Sequence, residues 1–345
     1  MTPVALDGTR LSAEAIDGSV LAETLLAPDD HHRVLLPKGR ILRAEDLPLI
    51  ERARPSELHV VRLDPGDIHE DAAARRLAAA VAGSGIAVHG PVESQMRLAA
   101  ELNGILRVDI GRLNALNSIQ DVSVFTLFDG QLVSQGKTVA GVKITPFVTT
   151  ESTLVEAERV CAGSLGIVQV VSFKPMRVGV LVRERLESSA REKFQSSLQM
   201  KVAWFGSSII GIDYVADDVE AVTASLRRLV GGADLILTAG ANATDPLDPT
   251  LVALGRLGAH MERQGAPAHP GSAVWLAYLG TVPVFGVAAC GMFSKATVLD
   301  LILPRLFTGT RVQARDFTSL GHGGLLSKDM SFRFPPYGAF DTVDT

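Results

Sequence analysis

The chain has 345 residues, of which 47% are hydrophobic and 21% charged, so it is long enough for two domains with cores of their own and too apolar to be disordered. Its formal net charge of −5 argues against nucleic acid or an anionic membrane as the main partner. Only Cys161 and Cys290 are present, without metal-knuckle or disulfide-framework spacing, and the first twenty residues lack the basic start and apolar core of a signal peptide. The most apolar stretch, residues 282–293, is too short to span a bilayer. A soluble protein of the reducing cytoplasm is expected.

The first half predicts an α+β domain. Helices are expected over residues 46–53 and 67–82, the second opening with Asp67 and Glu70 in capping-box spacing. After Gly104 the chain turns to short β-rich runs (ILRVDI, VSVFTLF, KTVAGVKITPFV, GIVQVV), which predict a small antiparallel sheet or barrel. Residues 130–138 (GQLVSQGKT) look like a phosphate-binding loop, but five residues separate the glycines and a strand-like segment follows, so a turn between strands is the reading. Asp29, Asp30, His31 and His32 are metal-ligand types in a run whose neighbours point different ways, which predicts a solvated loop.

The second half alternates strand and helix. RVGVLV at residues 177–182 reads as a buried strand, and Phe194, Leu198, Val202 and Phe205 then mark one face of a helix. A strand at residues 209–215 precedes a helix capped by Asp217 or Asp218 and carrying Val219, Val222, Leu226 and Val230. The Leu235 strand, a helix over 249–257, a strand over 282–287 and a helix over 294–307 follow. This pattern predicts an α/β domain with a doubly wound, mostly parallel sheet. The domain bounds expected are 1–173 for the accessory domain, 174–318 for the α/β domain and 319–345 for an irregular tail.

Residues 232–250 (GADLILTAGANATDPLDPT) are the most informative stretch, because a buried strand breaks there into a small-residue loop with two carboxylates. Ligands of open α/β sheets bind at the carboxyl ends of the strands. Backbone N–H groups from Gly240 through Ala241 and Asn242 to Ala243 could approach an anion beside Thr238, while Asp245 and Asp248 could hold a cation or a donor-rich ring. Ordinary turn and N-cap chemistry is the competing account of the two aspartates. The segment CGMFSK repeats the logic, with Ser294 as a helix cap and Lys295 as a positive charge, and Cys290 stands before that helix start. His269, in the loop HPGS, is a lone histidine better suited to hydrogen bonding than to ligating metal.

The segment from Val215 through Asp248 resembles the molybdopterin-binding domain of molybdenum-cofactor biosynthesis proteins of MoeA/MogA type. Val215, Asp217 and Asp218 match that family's V-x-D-D turn, Thr238 and Gly240 its strand end, and Asp248 its acidic position. GAPAHPGS, with Pro270, Gly271 and Ser272, is similar to its P-G loop, and VPVFGVAACGMFSK to its V-P-V-F-G segment; LLPKGRILRAEDLPLIERA resembles the accessory region of the MoeA-like branch. The resemblance implies molybdopterin or the molybdenum cofactor as ligand, with Mg²⁺ at Asp248 and ATP or AMP as further ligands. Asp248 and Asp218 are the catalytic candidates, for nucleotidyl transfer or metal insertion. Thr238, Gly240–Ala243, Asp245, Asp248, Pro270–Ser272, Ser294 and Lys295 would line the binding site. A homo-oligomer is also implied. The family's paired glycines are replaced by Ala239-Gly240-Ala241, and its acidic motif after the first strand is absent from RERLESSAREKF, where Arg183 and Arg185 stand. That substitution favours a second reading, a non-catalytic carrier that delivers the cofactor to a molybdoenzyme client.

Overall fold

The structure is a computed structural model that describes residues 1–163, 165–183, 188–241, 243–287 and 296–337. It divides into two compact units, one formed mainly by residues 1–170 and the other mainly by residues 171–345. It is a mixed α/β protein with several separate sheets. Among the described residues no helix is long and apolar enough to cross a membrane.

In the first unit, four antiparallel strands lie in the order Val122–Thr126, Thr138–Ile144, Gln95–Ala100, Ile86–Val92. One face of this sheet buries Leu98, Val124 and Val142 against Ala74, Leu77 and Val81 of the helix Glu70–Val81. That helix starts three residues later than its capping-box spacing predicts. Asp67–His69 is instead a strand paired with Val148–Thr150, His69 is the N-cap, and the Asp67 carboxylate accepts the Asp64 N–H at 2.8 Å. The pair Gln95–Ala100 and Ile86–Val92 escapes the sequence pattern because its turn, Glu93-Ser94, contains no glycine; both residues adopt positive φ. Residues 29–32 belong to a two-stranded hairpin, with Asp29 paired to Arg33, and no cluster of three metal-binding side chains occurs among the described residues. Burial pushes the Cys161 thiol up to about 11, which keeps it unreactive.

Glu70, at the first turn of its helix, is 7% exposed, and burial raises its carboxyl above the usual range. A carboxyl whose folded pKa exceeds its unfolded one stabilises the fold most below the unfolded value, and that advantage is lost as pH rises through the folded value. Glu70→Gln is therefore expected to raise the melting temperature at about pH 8 and to change it little at about pH 4, read by thermal melts at both values.

The second unit is built on a mixed six-stranded sheet. Its order is Ser208–Tyr214, Arg177–Val182, Leu235–Ala239, Val282–Val287, Trp275–Leu279, His260–Gln264; the first four are parallel, and Trp275–Leu279 runs antiparallel to both its neighbours. The last two strands are absent from the sequence reading, since HMERQ is polar and WLAYL follows a proline-rich loop. Side-chain alternation sends Val178, Val180, Leu235 and Leu237 to one face, against Phe194, Leu198 and Val202 of the helix Ser188–Trp204. Leu181, Ile236 and Val284 face the other way, against Val222 and Leu226 of the helix Val219–Val230 and Leu254 of the helix Pro249–Arg256. Helices thus cover both faces. Leu320, Phe334 and Tyr337, beyond the α/β pattern, are buried in the first of these cores.

Candidate functional site

The carboxyl ends of the parallel strands are tied together by Arg183, the residue that follows the Arg177–Val182 strand. Its backbone N–H donates to the Ala239 carbonyl at 3.0 Å, and the Val215 N–H donates to the Val182 carbonyl at 2.9 Å. Its side chain is 7% exposed. One terminal nitrogen donates to the Gly240 carbonyl at 2.7 Å and to Asp248 Oδ2, and the other to Asp217 Oδ1. Gly240 reaches this position at φ 86°, a conformation that a residue with a Cβ adopts only at a cost.

Asp248 is 2% exposed and caps the helix Pro249–Arg256, its Oδ1 accepting the Thr250 N–H at 2.8 Å. The turn that delivers it is set by Asp245, whose carboxylate accepts the Leu247 N–H at 2.9 Å and whose carbonyl accepts the Asp248 N–H at 3.1 Å. Thr250 and Arg183 therefore occupy both Asp248 oxygens. Asp218 points its carboxylate at the Ala221 N–H, 2.9 Å away, as the N-cap of its own helix. Ala241 is partly buried and Ala243 fully buried against the same core, and the Ala243 carbonyl accepts from the Gln264 amide. Thr238 is 1% exposed at the strand end. Its hydroxyl and Arg183 Nε are buried without hydrogen-bond partners among the described residues.

Pro270 and Gly271 lie at the start of the helix Val298–Leu306, whose Leu299 lines a small cavity with Thr238 and Ala239. The Val298 N–H donates to the Pro270 carbonyl at 3.1 Å, and a Cβ on Gly271 would lie 3.0 Å from Val298 N. The Ser272 carbonyl accepts the Ala266 N–H at 2.9 Å, and His269 is tied through its backbone to Gly324 and Leu326. Thr297 takes the N-cap position of this helix, where the sequence reading expects Ser294. Ser294 itself, with Arg185, Asn242, Cys290 and Lys295, lies outside the described residues.

Arg183 is the residue that sequence reading undervalues. It is visible there only as a basic residue where an acidic motif is expected, and its reach to Asp248, 65 positions away, depends on strand order.

No family model matches the chain. No curated protein matches it. Among solved structures it is similar to the molybdopterin biosynthesis MoeA protein from Pyrococcus horikosii, at 12% identity over 92% of this chain and 75% of that one, with a TM-score of 0.30. It is similar to a molybdenum cofactor biosynthesis protein B at 17% identity over 39% and 93%, with a TM-score of 0.28. A molybdenum cofactor biosynthesis protein from Pyrococcus furiosus is similar at 15% identity over 57% and 68%, with a TM-score of 0.25. These solved structures are molybdenum cofactor biosynthesis proteins, and likenesses at TM-scores of 0.30 and below leave the site to stand on its own geometry.

Proposed function

We propose that this chain binds molybdopterin, or the molybdenum cofactor built on it, at the carboxyl ends of the parallel strands of a doubly wound domain spanning residues 174–318. Residues 1–173 form the accessory domain in this reading and 319–345 the tail. One observation carries it: a buried arginine joins Gly240, Asp217 and Asp248 where three parallel strands end. The glycine lets the ligand approach the backbone, and the unpartnered Thr238 hydroxyl and Arg183 Nε are groups that a bound ligand would satisfy.

The donor set around Asp248 does not fit magnesium. Its two oxygens are engaged by the Thr250 N–H and Arg183, and no group of three metal-binding side chains occurs among the described residues. The same pairing favours the carrier reading over nucleotidyl transfer, because the carboxylate that would hold the cation of phosphoryl chemistry is already bound to arginine. As a carrier, the chain would hold the cofactor through Arg183 and the Gly240 loop and release it to a molybdoenzyme client.

The test is to add molybdopterin to the purified chain, remove unbound ligand, and measure the fluorescence of the oxidised pterin that remains. Retention at micromolar ligand, undiminished by EDTA and without ATP consumption, is expected of the carrier. Retention that requires Mg²⁺, with ATP turnover, would establish the enzyme instead, and no retention would dismiss both.

A further inference from the structure

The first unit contains a cleft of about 700 Å³ that the reading above leaves without a role. Lys38, His89, Arg97 and Lys143 line it. Their convergence follows from strand register. Arg97 lies directly opposite His89 on one neighbouring strand and Gly141 on the other, and Lys143 lies opposite Gln95, so His89, Arg97 and Lys143 share the sheet face turned away from the core. Lys38 reaches the same cleft from a loop seated on the start of the helix Glu70–Val81. Gly39 makes that seating possible: it adopts φ 80°, its carbonyl lies 2.7 Å from His69 Nε2, and a Cβ there would stand 2.5 Å from Glu70 Oε1.

Charge in the cleft is unbalanced. Lys38, Arg97 and Lys143 form no ion pair with a carboxylate among the described residues, and the acidic groups lining the cleft are Glu93 and Glu70. Burial raises the Glu70 carboxyl above its usual range, opposed by Ser94 and by the charge of Lys143. Ser94 is held beside it by the strained turn in which Glu93 and Ser94 both adopt positive φ. Val34 and Phe147 supply an apolar wall next to the cations. Cations from a loop and two strands around one space match an anion of more than one charge, and the wall matches an organic body attached to it.

We propose that this cleft is a second ligand site, which takes the phosphate end of a small phosphorylated organic molecule with its body against Val34 and Phe147. AMP and inorganic phosphate are suitable probes for titration calorimetry on the full chain. Saturable AMP binding is expected, tighter than that of inorganic phosphate, and weakened about tenfold or more in the Lys38→Ala/Lys143→Ala variant. Lys38→Glu, a single change at an exposed loop position, should weaken it in the same direction without disturbing the sheet. The proposal is overturned by absence of AMP binding at millimolar concentration, by inorganic phosphate binding as tightly as AMP, or by AMP affinity that survives both variants.

Discussion

Arg183→Ala is expected to destabilise the second unit by about 3–5 kcal/mol, because it leaves the Asp248 carboxylate buried without its counter-charge. Asp248 is 2% exposed, so water cannot replace the guanidinium, and the Thr250 N–H that donates to it carries no charge. The Gly240 carbonyl loses its donor in the same step. Urea unfolding followed by fluorescence of Trp204 and Trp275 reads the change, and a midpoint equal to that of the unsubstituted chain would show that the pair contributes nothing. Arg183→Lys keeps the charge, but one ammonium cannot bridge Asp217, Gly240 and Asp248, so only part of the stability returns. Asp248→Asn in the Arg183→Ala background should recover more, since asparagine still caps the helix and brings no charge to bury. The double variant is also the cleaner test of ligand binding, because it separates loss of the cationic anchor from loss of the fold.

Periodicity made the second unit legible wherever burial is regular. Phe194, Leu198 and Val202 face one core and Val222 and Leu226 the other, as their spacing requires. It failed for His260–Gln264, a polar strand whose pairing partner, Trp275–Leu279, holds it at the sheet edge. Local residue preference cannot announce such a strand, because the reason for it lies in the partner. At the site, Asp248 was legible as a cap and as a candidate ligand, but not as the partner of Arg183. Three parallel strands must stand side by side before residues 183, 217 and 248 meet, and no local pattern encodes that order. The cleft of the first unit was illegible for the same reason, since Lys38, Arg97 and Lys143 are unremarkable charges until register gathers them.

Lys201→Met is the second substitution expected to cost about 3–5 kcal/mol, for a reason that links the chain's last described residues to the core of the second unit. Lys201 is 1% exposed and its ammonium lies 2.5 Å from Asp300 Oδ1; Asp300 is fully buried. Tyr337 donates to the same oxygen at 3.0 Å, while Oδ2 takes the Thr297 N–H and hydroxyl at 3.0 and 2.9 Å. Removing the ammonium leaves a buried carboxylate with neutral donors only. Burial, with the Asp300 carboxylate beside it, raises the Tyr337 phenol well above its usual range, so it stays protonated and keeps donating throughout the neutral range. Tyr337→Phe should cost less, about 1–2 kcal/mol, because it deletes one donor and keeps the ring that packs edge-on against Trp204. A double-mutant cycle on the two positions distinguishes a shared anchor from two independent contacts. If both residues act through Asp300, the double variant will differ from the sum of the single changes, because each alters the charge that the other serves. Strict additivity would mean that residues 328–337 are held by contacts other than a shared Asp300 anchor, among them Phe334 in the core and Arg333 on the Gly323 carbonyl.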